Sequence, residues 1–382
     1  MVAWSRSPGF PGSSESSVFT SRELPMPVTE HAVLEALKAV ADPDLHRDIV
    51  SLGFVKHLRV DTDRVAFTIE LTTPACPVKD QMCEQARAAV LAVPGVAGVD
   101  IEMTSQVRSA APDAGRAAVP GVKNIIAVGA GKGGVGKTTV AVNLAIALAR
   151  SGGRVAMIDG DVYGPNVPIM LGVQTQLTTD GEKIVPAEKY GIQLVSMGFL
   201  TQDDAPVIWR GPMLHGVIQQ FFREVRWTDI DYLVIDLPPG TGDVALSLSQ
   251  TVPVAGAIVV TTPQTVSLAD TRRAVRMYQK LNIPTLGLIE NMSHFVCPHC
   301  QHETDIFGKG GGEGLAQALD VPFLGRIPIY EPIRVGSDQG IPIVVSEPES
   351  PASQAFLAAA ERAAAQVSIA SFRQPVPLTP LN

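Results

Sequence analysis

From Val28 onward the chain falls into short runs of patterned hydrophobicity. Val33, Leu34, Leu37 and Val40 recur at helical spacing, which predicts a helix over 32–40 that Asp42-Pro43-Asp44 breaks. Phe54 to Val60 and Val65 to Leu71 alternate as half-buried strands do, with Asp61-Thr62-Asp63-Arg64 as the turn of a hairpin. A second helical pattern runs from Val78 to Val93, and a strand follows near Val99 to Met103. Ser105 to Pro120 has no period and is rich in Ala, Ser, Pro and Gly, so it reads as a linker.

Beyond Lys123 the pattern changes. Ile125–Val128, Val155–Ile158, Leu233–Ile235, Ile258–Val260 and Leu286–Ile289 are continuous apolar runs, too short for helices and separated by helical patterns such as Thr138 to Arg150. Strands apolar on both faces, alternating with helices, predict a parallel sheet covered on both sides. The expected fold class is therefore α/β: a parallel-sheet domain preceded by a small α+β domain. The expected boundaries are a disordered tail at 1–27, the small domain at 28–104, a linker at 105–120, the large domain at 121–370 and a tail at 371–382. Patterned sequence begins just after Met26, which leaves Met1 and Met26 as alternative starts.

Composition narrows the class of function. A net charge of −8 and no long Lys/Arg block argue against nucleic acid as a partner. No apolar run reaches membrane-spanning length, and the first residues lack the apolar stretch of a secretory signal. Four cysteines in 382 residues are no disulfide framework, so a reducing cytoplasm is expected.

The chemistry concentrates in two places. Gly131-Lys132-Gly133-Gly134-Val135-Gly136-Lys137-Thr138 fits the phosphate-loop pattern and lies between a predicted strand and a predicted helix. Backbone N–H groups of such a loop close on phosphate oxygens, and the helix N-terminus adds a favourable field. Lys137 is expected to pair with the β- and γ-phosphates, and the Thr138 hydroxyl to ligate Mg²⁺, with Thr139 completing the loop. Asp159, Asp161 and Asp236 follow strands, where carboxylates sit beside such a loop. Asp236 suits holding Mg²⁺ through water, and Asp161 suits orienting the attacking water.

The second place is Cys297-Pro298-His299-Cys300, two thiols that can point into one metal site. Two ligands leave it incomplete. With His299 or His302 it would be a zinc site; a redox pair and inert thiols are the other readings. Elsewhere, Cys76 stands just before a helix, where a thiol tends to a lowered pKa. Cys83 shares helical spacing with Ala86 and Val90 and reads as core. Gly308 to Gly314 reads as a flexible loop entering a helix.

These motifs carry a resemblance. Lys132 to Thr138 resembles the deviant Walker A of the MinD, ArsA and nitrogenase iron-protein class. Asp159 to Asn166, Trp209 to Met213, Asp236 to Asp243 and Glu290-Asn291-Met292 resemble the Mrp/ApbC iron–sulfur cluster carriers. Asp42-Pro43-Asp44, Ile49 to Gly53 and Thr72 to Pro77 resemble a SufT-like iron–sulfur assembly domain. The resemblance implies ATP and Mg²⁺, a homodimer in which Lys132 reaches the partner's nucleotide, and an adenine contact at Asn291. It implies a four-iron, four-sulfur cluster bridged by Cys297 and Cys300 of two chains, and delivery to apo iron–sulfur proteins with assembly factors as partners. Cys76 becomes a candidate for transient cluster contact. Two rivals stand beside this: a MinD-like regulatory switch, which needs an amphipathic tail that the Pro-broken end cannot form, and a zinc-stabilised NTPase.

Overall fold

Strands that are apolar on both faces need helices on both sides, and the computed structural model of the chain supplies them. It describes residues 28–109, 116–161, 164–174, 177–199, 211–240, 243–297, 299–300 and 302–373. The expected tail at 1–27, the middle of the expected linker at 110–115 and the end from 374 lie outside the described residues.

The small domain opens with α1 (Glu30–Leu37), whose first turn is capped by the Thr29 hydroxyl accepting from Ala32 N–H at 3.2 Å. A two-residue pair, β1 (Ala41–Asp42) and β2 (Arg47–Asp48), precedes the hairpin of β3 (Val55–Asp61) and β4 (Arg64–Leu71). Helix α2 (Lys79–Leu91) then crosses back, so that β5 (Gly98–Ser105) lies parallel to β4. Val33, Leu37, Phe54, Phe67, Ile69, Met82 and Val90 form its separate core.

The large domain follows as β6 (Val122–Ala130), α3 (Lys137–Arg150), β7 (Val155–Asp159) and α4 (Val167–Leu171). A small pair, β8 (Thr178–Thr179) and β9 (Ile184–Val185), leads to β10 (Ala187–Lys189) and β11 (Ile192–Ser196). Then come α5 (Gly211–Glu224), β12 (Ile230–Asp236), α6 (Asp243–Thr251), β13 (Val254–Thr261), α7 (Thr265–Lys280) and β14 (Thr285–Glu290). A two-residue hairpin, β15 (Phe295–Val296) and β16 (Glu303–Thr304), precedes α8 (Gly311–Leu319), β17 (Phe323–Arg326), α9 (Glu331–Gln339), α10 (Ile343–Ser346) and α11 (Pro351–Arg373). The sheet order is β10-β11-β7-β12-β6-β13-β14-β17, parallel throughout except for β10 at the edge.

Each face of this sheet has its own core. On one, α3 and α11 pack together; Ala141, Ala145, Ala359, Ala360, Ala363 and Ala364 share that core with Phe356. Alanines let two helix backbones approach closely. Ten residues of α3, including Lys137 and Asn143, are buried, so this helix is enclosed rather than amphipathic. On the other face α5, α6, α7 and α8 cover the strands.

The domains are docked rather than strung apart. Ala75 of the small domain belongs to the large domain's core, the Thr73 and Tyr232 hydroxyls lie 3.0 Å apart, and Ser368 Oγ donates to Thr72 Oγ1 at 2.7 Å. Val107 and Val119 of the aperiodic stretch are buried in the large domain's two cores. Residues 371–373, expected as tail, belong to α11: Phe372 packs on the small-domain core and lies under the Arg108 guanidinium at 4.2 Å. Among the described residues, no helix is long and apolar enough to cross a membrane.

Phe356, wholly buried between α11 and its neighbours, tests this packing. Phe356→Ala is expected to destabilise the large domain by about 3–5 kcal/mol, read from the urea midpoint. A loss below about 1 kcal/mol would contradict the packing described.

Candidate functional site

β6 ends at Ala130 and α3 begins at Lys137, and the turn between them is made by glycines. Gly134 and Gly136 have φ of +78° and +77°, a conformation that favours glycine. A Cβ at Gly131 would sit 2.3 Å from the Asp270 backbone, and one at Gly136 would sit 2.3 Å from Asn291 Nδ2. The loop is thus tied to α7 on one side and to the end of β14 on the other.

The sheet places the carboxylates. β12 lies between β6 and β7, and Asp236 is in register with Val128 on one neighbour and with Asp159 on the other. Lys137 Nζ lies 2.6 Å from Asp236 Oδ1 and 3.9 Å from Asp161 Oδ2. The Thr138 hydroxyl donates to Asp236 Oδ2 at 2.7 Å. Burial pushes the Asp236 carboxyl up; the Lys137 ammonium and the hydrogen bonds from Lys137 and Thr138 pull it back. Lys137, Thr138, Asp161 and Asp236 therefore converge on one spot at the mouth of the loop.

Asp159 does something different. Its Oδ2 accepts from Ser196 Oγ at 2.9 Å and from Val167 N–H at 3.3 Å, and its Oδ1 accepts from Asp161 N–H at 3.2 Å. These bonds fasten both flanks of the segment after β7. Complete burial, with Asp236 alongside, pushes the Asp159 carboxyl up to about 7.

Lys132 is half-buried in the loop and makes no ion pair or hydrogen bond among the described residues. Asn291, expected at the adenine, donates its side-chain amide to Val135 O of the phosphate loop at 2.8 Å. Beside it opens a cavity of about 660 Å³, lined by Thr138, Thr139, Asn291, Met292, Tyr330 and Ile333 among others. That volume suits a nucleoside. Tyr330 and Ile333 escaped sequence reasoning. Their signal was positional: they follow β17, whose C-terminal end faces the same side of the sheet as the loop.

Cys297 follows β15 directly, and its N–H donates to His302 O at 3.0 Å across the β15–β16 hairpin. Cys297 is half-buried and Cys300 exposed. Backbone N–H groups of Cys300 and His299, with the Cys300 thiol, face the Cys297 sulfur and hold its thiol below the ordinary range. His299 and His302 point to solvent, and among the described residues no three His, Cys, Asp or Glu side chains converge on a metal position. One chain presents two thiols at a hairpin tip.

Two expectations fail in the small domain. Cys76 does not gain a lowered pKa: packed against the small-domain core, its thiol is pushed up by burial, against one hydrogen bond from Val78 N–H and with Asp42 and Asp44 adding to the rise. Cys83 is not core, because α2 buries Met82, Ala86 and Val90 and turns Cys83 to its flank. Cys76 also lies at the far end of the sheet. Thr73 meets Tyr232 near the start of β12, whereas Asp236 ends that strand, about 13 Å away at ~3.3 Å per residue. Gly308 to Gly310 lead into α8, but Gly311 to Gly314, expected as part of the loop, form the first turn of that helix. Val162, Tyr163, Trp209, Arg210, Thr241, Gly242 and Pro298 lie outside the described residues.

Residues 121–364 match a family model described as NUBPL iron-transfer P-loop NTPase. Residues 30–103 match one described as iron-sulfur cluster assembly protein. The chain is 48% identical over 352 residues to an iron-sulfur cluster carrier protein of Synechocystis, covering 90% of this chain and 99% of the relative. It is 40% identical over 329 residues to the protein of that name in Escherichia coli K12, covering 85% and 89%. A nucleotide-binding protein from Archaeoglobus fulgidus, solved in complex with ADP, superposes with a TM-score of 0.54 at 35% identity over 61% of this chain and 91% of that one.

The raised carboxyl of Asp159 gives a pH signature. A carboxyl that holds its proton more tightly when folded contributes stability below its unfolded pKa, and that contribution is lost as pH rises towards 7. Asp159→Asn is expected to flatten the fall in stability between about pH 4 and pH 7, measured from urea midpoints across that range. An unchanged slope would reject the assignment.

Proposed function

The chain belongs to the iron-transfer P-loop NTPases, and from that premise we propose that it is an ATP-hydrolysing carrier whose cargo is an iron–sulfur cluster held between two copies of the chain. The observation that carries this reading is the Cys297–Cys300 hairpin. It presents two thiols, on the same end of the sheet as the phosphate loop. Iron–sulfur clusters are commonly held by four thiolates, and a two-fold axis through two such hairpins provides them. An exposed site of this kind suits a cluster that is received and handed on to apo proteins.

The hydrolytic roles follow from the convergence around Asp236. Lys137 neutralises the β- and γ-phosphates of ATP, and the loop from Gly131 to Thr139 cradles them. Thr138 and Asp236, two oxygen donors whose side chains meet at 2.7 Å, suit a magnesium ion that offsets phosphate charge when bound. Asp161, beside Lys137 but partly open, orients the attacking water. Lys132, with no partner of its own among the described residues, reaches the nucleotide of the second subunit. There it adds positive charge to the transferring phosphoryl group. The cavity lined by Asn291, Met292 and Tyr330 takes the nucleoside.

Anaerobic reconstitution of the full chain tests the proposal. It should yield an iron–sulfur absorption band and about two irons per chain, the ratio of one four-iron cluster per dimer. A Cys297→Ala, Cys300→Ala variant should lose the iron. Lys137→Ala should keep the iron and lose ATP turnover by at least about a hundredfold. Stoichiometric zinc without iron, or full iron in the double variant, would reject the carrier reading; normal turnover in Lys137→Ala would reject the nucleotide site.

A further inference from the structure

Both arms of the hairpin that carries the thiols are walls of the nucleoside cavity. The outgoing arm starts at Asn291, whose backbone N–H donates to Thr261 O at 2.8 Å while its side chain holds Val135 O of the phosphate loop. Met292 follows with φ of +53°, a left-handed turn that a long side chain rarely adopts, and its side chain lines the cavity. Ser293 N–H and Oγ both bond Ile327 O at 3.0 Å, and Ile329 N–H bonds His294 O at 2.6 Å. Cys297 is three residues further on. No slack loop separates the phosphate loop from the first thiol.

The returning arm comes back to the same cavity. After β16, Ile306 and Phe307 line it, yet they are 52% and 38% exposed. Apolar side chains open to water at the mouth of a cavity are covered when a flat, apolar-faced ligand enters it. The arm is then clamped shut behind them: Gly312 N–H donates to the wholly buried Glu290 Oε2 at 2.5 Å, next to where the outgoing arm began.

We propose that nucleotide and thiol pair are coupled inside a single subunit through this hairpin, with Asn291 as the positioning residue that relays the state of the phosphate loop to Cys297. The proposal rests on the nucleotide reading above and adds the route. A nucleoside in the cavity touches Asn291 and Met292 on one arm and Ile306 and Phe307 on the other, so it favours one hairpin position over others. By linkage, a cluster on the thiols changes nucleotide affinity by the same factor that nucleotide changes cluster affinity.

The test reads the thiols directly. Reduced, cluster-free full chain is alkylated with iodoacetamide, with and without saturating Mg-ADP, and the rate at each cysteine is followed by peptide mass. Mg-ADP is expected to slow Cys297 and Cys300 by about fivefold or more, the lower range of ordinary site-to-site coupling. Cys76 and Cys83, on the small domain, serve as controls and should not respond. In Asn291→Asp, which keeps the size but lacks the N–H donor, saturating Mg-ADP should leave the two rates within about twofold of the nucleotide-free values. Phe307→Ala is read in the same way should that variant misfold. Bound Mg-ADP with no change at Cys297 and Cys300 in the unaltered chain overturns the coupling alone, as does a full response in both variants. A chain that binds no Mg-ADP overturns the nucleotide reading together with it.

Discussion

A lysine ammonium 2.6 Å from a wholly buried carboxylate holds the site together. Lys137 opens the helix that follows the phosphate loop, and Asp236 closes the strand beside it. Each charge is costly alone in so buried a place, so the pair ties the loop to the sheet. Its position is dictated by strand order: only with β12 beside β6 does Asp236 arrive at the base of the loop. Thr138 completes the cluster, and Asp161 borders it. Asp159, one strand over and in register with Asp236, faces a second carboxylate at close range and holds its proton more firmly for that reason as well as for its burial. The same few ångströms contain a charge balance that phosphate and its counter-ion would redistribute.

The parts of this that were legible in the sequence are those with short-range causes. The phosphate loop announces itself because only glycines fit its left-handed turns and close approaches. The central strands are legible because continuous apolar runs between helical patterns have few other uses. Asp236 was legible because strand ends adjoin the loop in such sheets. The cavity walls were not. Tyr330, Ile333, Ile306 and Phe307 come from separate segments whose only common feature is where the fold puts them. Cys83 was misread because Cys83 and Met82 fit helical spacing with Ala86 almost equally well, and the larger apolar side chain took the buried position. Cys76 was misread because a local rule about helix starts was outweighed by tertiary burial. The aperiodic stretch hid Val107 and Val119, single anchors that no period could reveal.

The placement of the two thiol regions gives the molecule a polarity. Cys297 and Cys300 sit with the phosphate loop at the C-terminal ends of the strands, while the small domain and Cys76 dock near the start of β12. In this arrangement the two regions do not share a site, and the interdomain contacts at Thr72, Thr73 and Ala75 keep them apart. Whatever work the small domain does is therefore separated from the nucleotide by the length of the central strands. The hairpin, by contrast, borders the cavity beside the phosphate loop with both of its arms.

In the proposed carrier, a hairpin with two thiols becomes a complete site only when two chains meet. Sedimentation velocity of the anaerobically reconstituted chain, followed at the visible iron–sulfur band, tests it most directly. All of the visible absorbance is expected to move with a particle of twice the 40.4 kDa chain mass. Visible absorbance that moves with the single chain would contradict it.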